Sequence, residues 1–485
     1  MSYLARQHPI RLFSYSTRYF WLLIIPVARS LYSLTITVDA LHAWLKGTWL
    51  DLLILIIIAG FAYLRWQSVF FEYDKEKIIV TKGIFATTED TVFYAKISTL
   101  SIKQGIFYKI IGAYKVYIAT NAGIFDKADI TIVMKKRDAE KFYSLVKGSK
   151  QKSLNYSISP NKVRLFVFSL LFSSALSGAL VALTLIVETS QMFDKEVEAK
   201  IILDTLTEVA NRVANFVPPI VAGIVTIIGF GWVISFVTNV TYFWNYILTK
   251  CSDCIYIKSG LWAKNSHIIP LEKVNYIDIK QGFLSKLFGA SALHCHCSGY
   301  GSTGRSELSV VMPLSTRKEI VGIINEVFPS YPKLKIQIKP SPRSYGGFMF
   351  YPLILSLIPI ACAFAFDFLL PDWSNVIKTA TIILEIPALW LGIAKVVAIF
   401  TTGIGFNEEH LAIRYSRLYA FHTVLIPKEK ITKLKIRQTP WQKASKTCSV
   451  IVYSASDSKA RHIAYGLKLN ETLNILQENG FDLYS

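Results

Sequence analysis

The chain has 485 residues, of which 52% are hydrophobic, and its mean hydropathy is +0.38. This composition argues against an ordinary soluble protein, because the apolar residues are gathered into runs of about 20, the length that a helix needs to cross a bilayer core of about 30 Å. The net charge of +20 is typical of nucleic-acid-binding proteins, but Lys and Arg concentrate in three stretches between the apolar runs, so we expect no nucleic-acid partner.

Six apolar runs predict six transmembrane helices arranged in three pairs. The runs are Tyr19–Ala40, Trp49–Trp66, Val163–Val187, Val217–Phe243, Phe348–Leu370 and Val376–Phe400. The first run is weakened by Arg29 and Asp39, which interrupt it. The N-terminus has no short apolar stretch that ends in a small-residue cleavage site, so we expect the first helix to remain as an uncleaved anchor.

Charge is distributed asymmetrically about these helices. Basic residues accumulate in 67–162, 244–347 and 402–485, whereas the connection 188–216 is acidic. Because Lys and Arg remain on the cytoplasmic side of a membrane, we predict that the N-terminus and all three basic stretches are cytoplasmic. The same basic excess could also attract anionic lipid headgroups. The acidic connection has apolar residues at helical spacing and few cations, which predicts an external amphipathic helix that packs against protein.

The three basic stretches are copies of one another. Each has a Lys followed by Ile or Val, and a Gln seven residues after that β-branched residue. The triplets that end in this Gln are Ile102-Lys103-Gln104, Ile279-Lys280-Gln281 and Ile436-Arg437-Gln438. Copies one and two also share a glycine 21 residues before the Gln, which the third copy lacks. The repeat predicts three units, each a helix pair followed by a soluble domain.

Within each copy, short β-branched segments predict strands, and the last segment predicts a helix. Strands of the first copy are expected over Lys77–Val80, Asp90–Phe93 and Thr99–Lys103, and the three C-terminal helices over Asp138–Lys147, Thr316–Phe328 and Glu471–Asn479. Ser315 is the expected N-cap of the second helix. The predicted boundaries are 1–66 for the tail and first helix pair, 67–162 for the first domain, 163–243 for the second pair, 244–347 for the second domain, 348–401 for the third pair and 402–485 for the third domain.

These residues resemble a known family. The order Gly-Ile/Leu-aromatic, Lys-Ile/Val, Ile-Lys/Arg-Gln-Gly and Leu-Phe-Gly-Ala is similar to the membrane-flanked bacterial pleckstrin-homology-like (PH-like) domain, and three such units resemble the YdbT-like bacterial membrane proteins. The resemblance implies an α-helical transmembrane protein with α+β cytoplasmic domains, namely three small PH-like β-barrels, each capped by a C-terminal helix. It further implies a multi-pass protein of the bacterial cytoplasmic (inner or plasma) membrane, with a shorter single-domain PH-like membrane protein as a partner.

The Ile-Lys/Arg-Gln-Gly motif is the first candidate site. A ligand or partner could bind the cations and amides that it offers, which are Lys103, Gln104, Lys280, Gln281, Arg437 and Gln438. The alternative is structural, since a strand that ends in a tight turn needs a residue with positive φ, and Gly supplies it.

Four cysteines of the second copy form a candidate metal site. They are Cys251, Cys254, Cys295 and Cys297. Four thiolates could bind zinc in tetrahedral geometry, although no other cofactor is expected. The alternative is a set of small core residues that the cytosol keeps reduced. Alternation along a strand predicts Cys295 and Cys297 on one face, with the two adjacent histidines on the other.

Three ionisable residues, Arg29, Asp39 and Glu385, lie within predicted spans. A charge at the bilayer centre costs about 2.5–3.5 kcal/mol on insertion scales, so each needs a partner or a polar cavity. We hypothesise an ion pair between Arg29 and Glu385. The alternative is that Arg29 lies near an interface and extends its side chain to the headgroups.

The sequence shows no phosphate-binding loop, zinc-protease motif, nucleophile elbow or dinucleotide fingerprint in its proper context, so we expect no enzyme. The leading hypothesis is a polytopic membrane scaffold or adaptor. Its cytoplasmic domains would bind protein partners, lipid headgroups or further copies of the chain in a homo-oligomer, with a role in envelope protection that the resemblance suggests. The rival hypothesis is a transporter or lipid-handling membrane protein that uses the intramembrane charges.

Overall fold

The computed structural model describes residues 3–16, 38–120, 129–150, 154–171, 173, 208–209, 211–214, 218–297, 310–331, 335–455 and 461–481. Its helices are α1 (Arg11–Ser16), α2 (Val38–Gln67), α3 (Ile106–Ile110), α4 (Lys136–Lys150), α5 (Lys162–Leu171), α6 (Pro219–Phe243), α7 (Phe283–Leu287), α8 (Arg317–Val327), α9 (Tyr345–Leu369), α10 (Ser374–Thr401), α11 (Pro440–Ala444) and α12 (Leu469–Glu478).

The strands of the described residues are short and antiparallel. They are β1 (Tyr3–Arg6), β2 (Phe70–Tyr73), β3 (Lys77–Lys82), β4 (Thr88–Phe93), β5 (Ile97–Gln104), β6 (Ala113–Thr120), β7 (Ile130–Lys135), β8 (Leu154–Ile158), β9 (Ile247–Cys251), β10 (Cys254–Ser259), β11 (Lys264–Pro270), β12 (Val274–Gly282), β13 (Ala290–Cys297), β14 (Val310–Thr316), β15 (Gly403–Phe406), β16 (His410–Arg417), β17 (Ala420–Pro427), β18 (Ile431–Arg437), β19 (Thr447–Ser454) and β20 (Arg461–Lys468). The predicted strands of the first copy fall within β3, β4 and β5.

Apolar helices lie where the sequence predicts membrane spans. In the described part of the chain, α6, α9 and α10 are long and apolar enough to cross a membrane, and they match the last three predicted spans. The second predicted span lies within α2, whose described apolar portion, Leu53–Gln67, is shorter. Most of the first and third predicted spans, and most of the connection 188–216, lie outside the described residues.

Each soluble domain forms two small sheets around a hydrophobic core, and a helix follows the last strand. Successive side chains of a strand point to opposite faces of its sheet, and one of these faces forms the core. In β3, for example, Ile78 and Val80 are fully buried and Ile79 is half-buried. The C-terminal helices α4, α8 and α12 contribute to the three cores, with Phe142 of α4 and Leu476 of α12 both fully buried. The architecture is consistent with three PH-like domains.

The N-cap of α8 is Thr316, one residue after the expected Ser315. The Thr316 hydroxyl accepts a hydrogen bond from the Glu319 backbone N–H, and the Glu319 carboxylate accepts one from the Thr316 backbone N–H. This reciprocal pair requires Glu or Gln three positions after the cap, and Thr316 has Glu319 there, whereas Ser315 has Lys318. Glu319 also accepts two hydrogen bonds from Arg164 of α5, at 2.7 and 2.8 Å, and so joins α5 to the second domain.

The sheets do not end where the domains end. Their strand orders are β1-β2-β3-β4, β7-β6-β5-β11-β10-β9-β8, β14-β13-β12-β17-β16-β15 and β18-β19-β20. The second sheet of the first domain therefore continues into the first sheet of the second domain through β5 and β11. The second and third domains are joined in the same way through β12 and β17.

Each domain begins with a short extended segment that precedes the long apolar helices leading into it. β1 pairs with β2 of the first domain, and β8 pairs with β9 of the second. In the third domain the segment 335–340 takes this place, with bridges from Ile338 to Ile404 and from Pro340 to Leu467. The predicted boundaries placed β1 with the first helix pair, β8 in the first domain and 335–340 in the second. Strand pairing assigns each of them to the sheet that follows.

The motif glycines do not adopt a positive φ. Gly105 and Gly282 have φ of −69° and −70° and are the N-caps of α3 and α7, so the expected left-handed turn does not lie there. It lies seven residues later, where Gly112 and Gly289 have φ of 70° and 64°. The third copy has Lys446 at this position, with φ of 53°. A non-glycine side chain in this conformation is strained by contact with its own backbone.

Candidate functional site at the junction of the second and third domains

The three motif glutamines have the same structural role in each copy. Each donates its side-chain amide to a backbone carbonyl nine residues later, Gln104 to Ala113 at 3.3 Å, Gln281 to Ala290 at 3.1 Å and Gln438 to Thr447 at 2.7 Å. These bonds hold the short helix that connects two strands of the second sheet. A ligand-binding role for the glutamines stays a prediction, and only Gln281 lines a cavity described below.

The motif cations lie in three different surroundings. Lys103 lies over the Tyr117 ring, 5.8 Å from its centroid. Lys280 lies opposite His422 in the strand pair that joins the second and third domains. Arg437 is exposed on β18, an edge strand of the last sheet. The structure therefore does not gather the three cations into one site.

A basic cleft of about 460 Å³ lies between the second and third domains. Its polar lining includes Lys286, Arg317 and Arg414, and no Asp or Glu is among the residues that line it. Thr401, the last residue of α10, forms part of the wall, so the cleft adjoins the end of an apolar helix. A larger cavity of about 590 Å³ between the first and second domains is lined by Glu76, Asp253 and Glu272 as well as Lys75, and it lacks this cationic character.

The cations of the cleft are close enough for each to disfavour the charged form of its neighbour. Burial and then Arg414 lower the pKa of Lys286, whose ammonium lies 4.0 Å from the centroid of the Phe421 ring. Burial and then Arg317 lower the pKa of Arg414. The Arg414 Nε is buried and has no hydrogen-bond partner among the described residues. An anion with several oxygens, such as a phosphate group, would relieve this repulsion and supply the missing acceptors.

A cluster of buried and half-buried histidines adjoins the cleft, which His422 also lines. His422 Nδ1 lies 2.7 Å from Asp278 Oδ2, and the His422 ring stacks on Tyr415. Burial alone would raise the pKa of Asp278, but His422 lowers it to about 2, so the carboxylate stays ionised. The Tyr415 hydroxyl lies 3.1 Å from Nδ1 of His462. Residues from both domains thus form one polar network across the junction.

Sequence reasoning missed this network because its members are far apart along the chain. It did place His294 and His296 on one face of β13, and the structure confirms the alternation, with the neighbouring thiols in the core of the second domain. His422 and His462 come from the third domain, and no local pattern marks them. Only the cross-domain pairing of β12 with β17 brings His422 to Asp278.

Side chains of the junction contact α10 well before its last residue. The Phe283 ring lies 4.9 Å from the Trp390 ring, and the Tyr419 hydroxyl donates a 2.9 Å hydrogen bond to the Pro387 carbonyl. Lys395 donates to the carbonyl of Ser416 at 3.3 Å. The first hairpin of the second domain makes a similar approach, since the Leu261 N–H donates to the Thr241 carbonyl of α6 at 2.9 Å.

Large apolar side chains are exposed at corresponding positions of the domains. The first hairpins expose Phe85 by 96% and Trp262 by 57%, and the short helices after the Gln motif expose Phe107 by 76% and Trp441 by 84%. Exposed aromatic residues at equivalent tips are typical of a surface that contacts a membrane or a protein.

The four cysteines of the candidate zinc site are divided between two hydrophobic cores. Cys251 and Cys254 belong to the core of the first domain, and Cys295 and Cys297 to that of the second. A hydrogen bond with Cys297, and then burial, raises the pKa of Cys295, and burial raises that of Cys251, which favours neutral thiols. Within the described ranges, no group of three or more His, Cys, Asp or Glu side chains could hold a metal. This arrangement favours the core interpretation over zinc.

Of the predicted intramembrane charges, only the Glu385 side chain is described. It accepts a 2.5 Å hydrogen bond from Ser356 of α9, so it links the two helices of the third pair. Arg29 and the side chain of Asp39 lie outside the described residues, and the hypothetical ion pair between Arg29 and Glu385 stays a prediction.

Comparison with known proteins identifies the family. The family model described as "Bacterial PH domain" matches residues 23–150, 201–325 and 354–477. The chain is 20% identical over 434 residues to the "UPF0699 transmembrane protein YdbT" of Bacillus subtilis (strain 168), and this alignment covers 84% of each of the two chains. No solved structure matches the chain. The three matches together span most of the sequence, and the chain therefore belongs to the bacterial PH domain family as a YdbT-like membrane protein.

Proposed function

We propose that this protein is a membrane scaffold of the bacterial cytoplasmic membrane, in which three PH-like domains form one continuous array on the cytoplasmic surface and bind an anionic lipid headgroup. The basic stretches support the cytoplasmic orientation, because Lys and Arg remain on that side. The spans outside the described residues would complete three helix pairs. The observation that carries the proposal is the cationic cleft beside the end of α10.

The contacts along α10 support a membrane boundary near Lys395. From Ser374 to Lys395 the helix rises about 31 Å, which matches the thickness of a bilayer core. Lys395 would then lie at the interface, where basic side chains concentrate, and Trp390 and the Tyr419 hydroxyl would reach about 8 Å and about 12 Å into the core. At this depth the cleft would lie at the level of the lipid headgroups, and the exposed aromatic tips would contact the same surface.

Lipid retention tests the headgroup site. The full-length protein would be released from mixed micelles that contain equal amounts of phosphatidylglycerol and phosphatidylcholine, and its bound lipids counted by native mass spectrometry. We expect preferential retention of phosphatidylglycerol. Arg414→Gln and, separately, Lys286→Gln should lower that retention about tenfold, since a hydrogen bond to a charged group contributes about 1.5–3 kcal/mol.

Lys318→Gln is the matched control, because Lys318 is exposed, follows Arg317 directly and does not line the cleft. Equal retention of the two lipids by the unaltered protein would contradict the headgroup site. An equal loss of phosphatidylglycerol in the control would also contradict it, since the effect would then come from net charge alone.

A second candidate function, transport or lipid handling, is favoured by Glu385. One carboxylate oxygen is bonded to Ser356, and the other, Oε1, is buried without a hydrogen bond to the described residues. A carboxylate that takes part in transport would need to change its protonation. Glu385→Gln should abolish proton-coupled flux in reconstituted vesicles if this function is correct, and it should leave phosphatidylglycerol retention unchanged.

A further inference from the structure

The two internal junctions are built from equivalent strands in the same register. Gln104 of β5 lies opposite Lys264 of β11, and Gln281 of β12 lies opposite Phe421 of β17. The opposing strands also correspond, because β11 and β17 each run directly into a short 3-10 turn, over Leu271–Lys273 and Lys428–Lys430. The chain thus joins its PH-like domains at two junctions that use the same strand pairing in the same register.

The same two kinds of strand are left as edges at the ends of the array. β4 corresponds to β11 and β17, since it too runs into a 3-10 turn, Tyr94–Lys96. β18 carries the third Gln motif and corresponds to β5 and β12. In the part of the chain that the structure describes, β4 and β18 are each paired on one side only. Exposed edges of this kind are templates for pairing with another chain.

The two edges carry opposite charges. β4 presents Glu89 and Asp90, whereas β18 presents the exposed cations Lys433, Lys435 and Arg437. If the register of the internal junctions is continued, Lys435 lies opposite Asp90. Opposite charges in directly opposed positions stabilise an antiparallel pair.

Polar contacts occur at this same place in both internal junctions. In the first, Ser101 lies opposite His267, with 2.7 Å between Oγ and Nδ1. In the second, Asp278 occupies the position of Ser101, lies opposite Val424 and contacts His422, two residues away on the facing strand. A pair between Lys435 and Asp90 would give the third junction a polar contact at the equivalent position.

We infer that β18 of one copy pairs with β4 of a second copy, so that the sheet continues from chain to chain as it does between domains. The partner is the same chain because its two edge strands are equivalent to the strands that pair at the internal junctions and carry opposite charges. The contact is heterologous, and it produces a ring or an open array in the plane of the membrane. This inference rests on the proposed scaffold role. In a single copy Asp90 is bonded to Lys82 at 2.6 Å, and the two cations would share it in the assembly.

Disulfide crosslinking in native membranes tests the register. Thr88 and Arg437 are exposed and would lie directly opposite each other, at a separation that a disulfide can bridge. The background carries Cys362→Ser, because Cys362 is exposed in the described structure, whereas the other five cysteines are buried. A chain with both Thr88→Cys and Arg437→Cys should form a ladder of dimers, trimers and larger species under mild oxidation.

Three controls separate the inference from its alternatives. Thr88→Cys with Lys433→Cys is four residues out of register and should crosslink about tenfold less. Asp90→Lys in the crosslinking variant should reduce the ladder about tenfold, and adding Lys435→Asp should restore it. A crosslink to a different, single-domain protein would overturn the choice of partner.

The outcomes also distinguish this inference from the proposed function. Absence of a ladder, with phosphatidylglycerol retention intact, would overturn the head-to-tail contact and leave headgroup binding standing. A ladder without lipid preference would support the contact and overturn the headgroup site. Equal crosslinking in and out of register would show random collision and would overturn the inference.

Discussion

Acidification from pH 7 to pH 5 should destabilise the junction between the second and third domains. Burial lowers the pKa of His296 and His462 to about 4, and burial followed by the charge of Lys280 lowers the pKa of His294 to about 3. In the unfolded chain these imidazoles titrate near pH 6.5. Their contribution to stability is therefore complete above pH 6.5 and is lost as the pH falls toward 4.

The size of this loss of stability follows from the linkage between proton binding and folding. At pH 5 an unfolded histidine binds a proton that its buried counterpart excludes, which costs about 2 kcal/mol of folding free energy per residue. Three such residues lose about 6 kcal/mol, which is comparable to the total stability of a domain. Asp278 does not add to this loss, because its pKa is about 2 and it titrates below the window.

Hydrogen exchange of the purified full-length protein at the two pH values, corrected for the intrinsic rate, would measure the effect. Protection of β12, β13 and β17 should fall at pH 5 more than that of β3. His462→Gln should reduce the pH dependence by about one third, since it removes one of the three buried imidazoles. Equal protection of β12 and β17 at both pH values would refute the assignment of neutral, buried histidines.

Three further predictions concern the repeat. Lys446→Gly should stabilise the third domain by about 1 kcal/mol in thermal unfolding, because it removes left-handed strain, and a lower melting temperature would contradict this. Gly347→Ala should separate the third domain from α9, because the new methyl group would overlap the Tyr465 hydroxyl. Faster proteolysis of the chain after α10 would show this separation, and unchanged proteolysis would count against the contact. Gln281→Ala should cost about 1 kcal/mol by leaving the Ala290 carbonyl without its hydrogen bond, whereas no change in unfolding would argue against a structural role.

Local patterns in the sequence were sufficient to predict the elements and the repeat. The last three spans, the strands of the first copy and the three C-terminal helices lie within a few residues of their predicted places, because hydropathy and alternation are local properties. The role of Gly105 was predicted wrongly for a similar reason. Its neighbourhood predicts a turn, but an extended N-cap followed by a short helix makes the same reversal and transfers the positive φ to Gly112.

Long-range pairing could not be predicted. Nearly every residue of β5 is buried, so both faces of the strand are covered, but its alternating sequence does not identify the strand beside it. The basic cleft depends on that pairing, since Arg414 of β16 and Lys286 of α7 approach each other only when β12 meets β17. The recurrence of the motif glutamines in three copies predicted a ligand-binding role. The structure explains their recurrence by one hydrogen bond in each copy.

The strand that precedes each helix pair has a consequence for biosynthesis. Since β1, β8 and the segment 335–340 complete sheets whose remaining strands are made only after long apolar helices, no domain can close until those helices have left the ribosome. Insertion and folding are thereby coupled, and a domain whose apolar helices fail to insert lacks an outer strand. In the third domain, α9 and α10 are an insertion within the PH-like domain, and excising that domain at these helices removes the segment that bridges to its own sheet.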